Sequence, residues 1–407
     1  MITKREAKRR PIDSRIDYNL ILPVFFLIII GFLAIFVATS HDYPKNLTTV
    51  MGQQVVWLLI GSLISFVVML FSTEFLWKIT PYLYGLGLGL MVLPLIFYSP
   101  ELVASTGAKN WVTIGSVTLF QPSEFMKISY ILMLSRIMVS FKQKHSQRTL
   151  KEDGKLLLLF AALTLPILLL LGLQRDLGTA MVFMAILAGM VLVAGVSWKI
   201  IIPIVLLAVA VLTLFLVIFL MPNGKEFFFS LGMDAYQINR LSAWISPFDY
   251  AGNIAYQQTQ GMIAIGSGGL LGKGFNVVDL AVPVRESDMI FTVIAENFGF
   301  IGGSIVLVLY LLLIYRMLRV TFASNNLFYT YISTGFIMMI LFHIFENIGA
   351  AVGVLPLTGI PLPFISQGGS SLISNLIGVG LVLSMSYQNS LSQEKALYKR
   401  FKKEQKR

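Results

Sequence analysis

Cysteine is absent from the 407-residue chain and histidine occurs only three times. Disulfides and cysteine-based metal or redox chemistry are therefore excluded, and little remains for a histidine metal centre. Charge is scarce as well: 13% of residues are charged, against roughly 25% in an average soluble domain. No Ser- or Gln-rich linker and no internal repeat divides the chain, which argues against a second soluble domain.

What is present is apolar sequence in long blocks. Hydrophobic residues make up 56% of the chain. They run in stretches of about 20 residues, the length at which a helix crosses a bilayer. About ten such blocks are expected by that criterion, over 17–39, 54–72, 77–98, 122–141, 155–173, 177–196, 198–221, 289–315, 327–346 and 367–389. The predicted fold class is an all-α integral membrane protein, a single polytopic domain over 1–407. It would have a tail at 1–16, one large extracytoplasmic loop at 222–288 between the seventh and eighth helices, and a basic tail at 390–407. With a cytoplasmic N-terminus, most of the 31 Lys and Arg fall in the tails and inner loops. The outer loops then hold Lys45, Lys109, Arg175, Lys225, Arg240, Lys273 and Arg285, so the positive-inside rule puts both termini in the cytoplasm. The net charge of +11 is then topology and anionic-lipid contact rather than a nucleic-acid surface.

Charged and irregular positions inside or beside these blocks are the candidates for chemistry, because membrane-embedded charge needs a partner or a water-filled cavity. Asp288 lies where the large loop enters the eighth helix. It is either an N-cap, a task Ser287 could share, or a half-desolvated carboxylate whose raised pKa suits it to take a proton from a hydroxyl. Glu286 is expected to raise that pKa further by repulsion, and Glu296 to serve cavity polarity or packing. Glu124 and Lys127 in QPSEFMK are three apart behind Pro122, either a structural ion pair or part of a site. Lys109, Arg175, Arg240, Lys273 and Arg285 are outer cations that are either solvated loop charge or partners for phosphate oxygens. His343, beside Glu346 and Asn347, reads as a hydrogen-bonded packing residue rather than a ligand. VLPLTGIPLPFISQGGSS breaks helical patterning and reads as a cavity wall. GSGGLLGKGF fails as a P-loop, with Ser267 where the motif needs Gly and Gly274 where it needs Ser or Thr.

Six segments in order, GAKNWVTIG, QPSEFMK, QRDLGTA, YQQTQGMIAIGSGGLLGKG, ESDMIFTVIAENFG and NIGAAVGVLPLTGIPLPFISQGGSS, resemble the SEDS family of bacterial membrane glycosyltransferases, which polymerise peptidoglycan from lipid II. The chain is most similar to the elongation branch, RodA, rather than the division branch, FtsW. The resemblance implies that Asp288 is the catalytic residue, as general base or as metal ligand. It also implies that Glu124 and Lys127 line a central cavity, that Gln121, Ser370 and Ser371 join Lys109, Arg240 and Lys273 around the substrate, and that a divalent cation, Mg or Mn, could assist. The implied partners are a class B penicillin-binding protein, elongation-complex membrane proteins and lipid II. A lipid II flippase is the alternative activity, since it would use the same cavity and charges. The chain departs from the family's pattern at Arg175, at Glu286 and Ser287, and at Gln367.

Overall fold

A computed structural model describes residues 16–115, 117–145 and 149–404. The helices are α1 (Tyr18–Asp42), α2 (Leu47–Met69), α3 (Thr73–Ile96), α4 (Pro100–Thr106), α5 (Pro122–Lys144), α6 (Leu150–Gln174), α7 (Leu177–Val193), α8 (Trp198–Leu220), α9 (Gly224–Ser230), α10 (Ala235–Ile245), α11 (Tyr256–Ser267), α12 (Ile290–Phe322), α13 (Leu327–Ala351) and α14 (Gly369–Glu404). Two short strands, β1 (Val112–Ile114) and β2 (Val117–Phe120), pair antiparallel.

Among the described residues, eight helices are long and apolar enough to cross a membrane: α1, α2, α3, α6, α8, α12, α13 and α14. The other two expected segments form α7, which has only 17 residues, and α5, which carries Glu124, Lys127 and Arg136. Of the expected tails, residues 1–15 and 405–407 lie outside the described residues, and α14 continues past the expected end at 389 to Glu404. The loop expected at 222–288 holds α9, α10 and α11.

Local chemistry sets several helix boundaries. Thr149 and Glu152 form a reciprocal capping box at α6. Pro122 starts α5 at a position that needs no amide hydrogen, with Glu124 in its first turn and Lys142 and Lys144 in its last, matching the helix dipole. α12 continues beyond the expected end at 315 because Arg316 is not left in lipid: its guanidinium pairs with Asp17, which precedes α1, through contacts of 2.9 to 3.2 Å. Ser386 donates a further bond of 3.0 Å to the same carboxylate.

α12 is not one continuous rod. Gly299 has φ 63° and ψ −159°, outside the helical region and open to glycine alone. The break frees backbone groups, and the loop after α11 satisfies them. Phe300 N donates to Gly269 O at 2.9 Å, Lys273 N to Glu296 O at 3.0 Å and Gly274 N to Asn297 O at 3.1 Å. A Cβ on Gly299 would lie 2.4 Å from Gly272 N, so the two backbones meet where only hydrogen fits. Irregular backbone beside a membrane helix is tolerated when it is paired in this way.

Burial is uneven. α5 is enclosed along most of its length, including Ser123, Glu124, Lys127 and Ser129, whereas α8 buries only Ile201 and Phe219. The polar residues of α5 and α13 thus meet inside the bundle.

Candidate active site

Asp288 sits at the end of a tight turn before α12. Ser287 N and Met289 N both donate to Val284 O, at 3.2 and 3.4 Å. The turn is held from the segment joining α13 to α14: Ser366 Oγ donates to Ser287 O at 2.7 Å, and Gln367 N to Glu286 O at 2.9 Å. From below, Asn347 Nδ2 on α13 donates to Asp288 O at 2.8 Å and to Ile360 O at 2.9 Å. The backbone of Asp288 is therefore fixed from two directions.

Its carboxylate is not the helix cap that was one reading of this position. α12 begins after Met289 with no side-chain cap. Asp288 Oδ1 instead accepts from Ser287 Oγ at 2.9 Å. Burial pushes the carboxyl above the ordinary aspartate range, while the Ser287 hydrogen bond and the Arg240 charge oppose the rise. The expected repulsion with Glu286 falls on Glu286 instead, whose carboxyl is raised first by its own burial and then by the charges of Asp42 and Asp288. Gly359, at φ +82°, lies against the other side: a Cβ there would be 3.3 Å from Asp288 Oδ2.

Arg240 on α10 is aimed by two contacts. Its Nη1 donates to Leu357 O at 2.7 Å, its Nη2 to the Tyr236 hydroxyl, and the guanidinium lies 4.6 Å from the centre of the Tyr236 ring. Glu346, 2% exposed on α13, accepts from Thr358 N at 3.2 Å and from the Thr358 hydroxyl. This holds the Thr358–Gly359 segment against Asp288. Glu346 and Thr358 were missed as site residues, although a carboxylate in an apolar helix is itself a signal.

One turn deeper on α13, His343 Nε2 is 3.3 Å from Lys127 Nζ, and Lys127 forms an ion pair of 2.9 Å with Glu124. All three side chains are buried. An ammonium only donates, so Nε2 is the acceptor and Nδ1 carries the imidazole proton. His343 is thus a hydrogen-bonded packing residue, as expected, with Lys127 as its partner. Ser374 Oγ donates to Glu124 O at 3.0 Å, tying α14 to the same group.

The remaining predicted residues fall around this centre. Gln121 N donates to Ser370 Oγ at 3.1 Å, and Gln121 Nε2 reaches Asp176 Oδ2 at 3.5 Å. Asp176 caps α7 through Thr179 N at 3.0 Å and accepts from Asn110 at 2.8 Å. Ser371 Oγ accepts from Asn375 at 3.4 Å. Lys109 lies over the Tyr98 ring at 4.4 Å. Lys273 is not a free cation: it pairs with Asp279 at 2.8 Å and with Glu296 at 2.9 Å beside the break in α12. Glu296 is accordingly an ion-pair partner, and the phosphate-binding expectation for Lys273 meets two carboxylates already in place. Among the described residues no three His, Asp or Glu side chains converge on one point.

A carboxylate that caps no helix, set against the segment whose Leu357 carbonyl is held by an arginine stacked on Tyr236, is an arrangement for accepting a proton. The family of cell cycle proteins typified by FtsW, RodA and SpoVE matches this chain over residues 18–391. The chain belongs to that family. It is the SEDS family its motifs resemble. Among SEDS relatives, the peptidoglycan glycosyltransferase MrdB of Escherichia coli K12 is 31% identical over 380 residues, covering 91% of this chain and 93% of the relative. The probable peptidoglycan glycosyltransferase FtsW of Thiomicrospira cyclica is 31% identical, covering 92% and 93%. A solved structure described as the coordination of polymerization and crosslinking by a peptidoglycan synthase complex superposes with TM-score 0.72 at 27% identity, covering 92% and 98%. The crystal structure of the Thermus thermophilus rod shape determining protein RodA gives 0.63 at 28%, covering 91% and 96%.

Proposed function

We infer that this chain is a peptidoglycan glycosyltransferase that joins lipid II disaccharides into glycan strands at the outer face of the cytoplasmic membrane. The observation that carries the inference is the Asp288 carboxylate, which caps no helix and is held between the Ser287 hydroxyl and the Gly359 backbone. The names of the relatives support the substrate class, and the likeness to a rod shape determining protein supports a part in cell shape, while relatives named FtsW match at equal identity. The charge asymmetry of the loops supports ten spans, with α5 and α7 among them, cytoplasmic termini and Asp288 outside.

Both substrates are anchored in lipid, so the reaction must occur near the membrane surface, where the loop before α12 leaves the bundle. Asp288, ionised, accepts the proton of the acceptor sugar hydroxyl. The oxygen then forms its bond to the donor anomeric carbon as the bond to the polyprenyl pyrophosphate breaks, with inversion. Arg240, on the neighbouring α10 and directed by its stacking on Tyr236, is assigned to meet the departing charge. Glu346 holds the Thr358–Gly359 segment that confines the Asp288 carboxylate.

A divalent cation would fit this donor set only in the mode in which a single carboxylate, Asp288, shares it with substrate phosphates. Such an ion would supply charge stabilisation to the leaving group. A class B penicillin-binding protein is the partner this reading implies, consistent with the synthase complex that the fold superposes on.

Lipid II polymerisation by the purified protein with its partner tests the reading. Asp288→Asn should lower the rate by about 10²–10⁴-fold, the usual contribution of a general base. Full activity in that variant would sink the assignment, and lipid movement without polymerisation would favour a flippase.

A further inference from the structure

The loop that carries Asp288 is also gripped by a helix 243 positions away in the chain. Arg285, 3% exposed, donates from Nε to Asp42 Oδ2 at 2.6 Å and from Nη2 to Asp42 Oδ1, while its Nη1 donates to Leu280 O at 3.0 Å. Asp42 is the last residue of α1. The same end of α1 touches the loop again: His41 Nε2 is 3.2 Å from Asn276 O, Ser40 Oγ donates to Asn276 Oδ1 at 3.3 Å, and the Phe36 and Phe275 rings stack at 6.4 Å. Beside Arg285, Val284 has φ +53°, a left-handed conformation that a β-branched residue avoids. That conformation turns the chain so that Val284 O receives both Ser287 N and Met289 N. A strained turn next to a reactive group persists only where its surroundings hold it, and a bidentate arginine–carboxylate pair is a directional means of doing so.

We propose that the outer end of α1 is a positioning element for Asp288, with the Asp42–Arg285 pair holding the strained turn at Val284 in the form that presents the carboxylate. The proposal rests on the glycosyltransferase reading of Asp288. Neither Asp42 nor Arg285 touches the reacting atoms; they act through the turn.

The experiment uses the full-length protein in the polymerisation assay, with Asp288→Asn as the inactive control. Asp42→Asn keeps the side chain's shape and removes its charge, and should lower kcat about 10- to 100-fold, as displacement of a catalytic group does. KM for lipid II should stay within about twofold, because substrate contacts are untouched. Asp42→Glu should recover part of the loss. Val284→Asn added to Asp42→Asn should also recover activity, since Asn accepts the left-handed conformation; a loss through general destabilisation would not be mended this way. Hydrogen exchange over 280–289 reads the turn without turnover, and should quicken in Asp42→Asn while 122–141 stays protected. Unchanged kcat with unchanged exchange overturns the proposal, and so does exchange that rises throughout the bundle. If Asp288→Asn polymerises like wild type, the catalytic reading fails, and the exchange measurement still decides whether α1 holds the turn.

Discussion

At the scale of single residues, the carboxylate of Asp288 is governed by competing effects of known sign. Burial raises it and Arg240 lowers it. A general base must be ionised, so the rate falls as pH drops through its folded pKa. Arg240→Ala removes the influence that favours the ionised form, and should shift the acid limb of the kcat/KM profile to higher pH; a shift the other way would mean Arg240 does not face Asp288. Gly359→Ala is a sharper probe of the same carboxylate. Its Cβ would press on Oδ2 from a left-handed backbone that costs about 1–2 kcal/mol for other residues, so activity should fall further than stability. Asp288 was legible in the sequence because a carboxylate at the entrance to an apolar run is conspicuous. Glu346 was only half legible, since its partner Thr358 is reached across the Pro-rich segment. Arg285 was read only as one of the outer-loop cations, because Asp42 is 243 positions away and spacing carries no sign of the pair.

At the scale of elements, two glycines make opposite predictions. Gly299→Ala would force a Cβ to 2.4 Å from a backbone nitrogen at a φ and ψ that only glycine adopts, and should cost about 3 kcal/mol or more of stability. Gly52→Ala, in α2 with open space around it, should be neutral or stabilising by up to about 1 kcal/mol. Thermal unfolding of both variants in detergent checks the contrast. The break in α12 was invisible beforehand because FGFIGG reads as uninterrupted apolar helix, and only the approach of the Gly269–Gly274 backbone reveals why it stops being one. The strands β1 and β2 were missed for a related reason: two very short strands carry too little alternation to stand out. α5 is helical over the segment expected as a span despite its charges, and two of them, Glu124 and Lys127, prove to be paired within the bundle. Lys127→Met alone, which leaves Glu124 buried without its partner, should destabilise by about 3–5 kcal/mol; adding Glu124→Gln should return part of that, as a double-mutant cycle would measure.

At the scale of the whole molecule, length and hydropathy made most helices legible, while the way the helices are tied together was not. α1 is fastened to α12 or its leading loop at both ends, by Asp17 to Arg316 and by Asp42 to Arg285. Its 25 residues span about 38 Å at 1.5 Å each, against about 30 Å of hydrocarbon. A rod anchored twice to the same neighbour cannot slide along it. When bilayer thickness changes, α8, with two buried side chains, is free to tilt, but α1 and α12 must keep their registration and leave the lipid to stretch or thin around them. Hydrophobic mismatch therefore loads the two arginine pairs rather than being relieved by slippage. Polymerisation rates in vesicles of graded acyl-chain length should pass through an optimum, and Asp17→Asn, which frees one anchor, should flatten it.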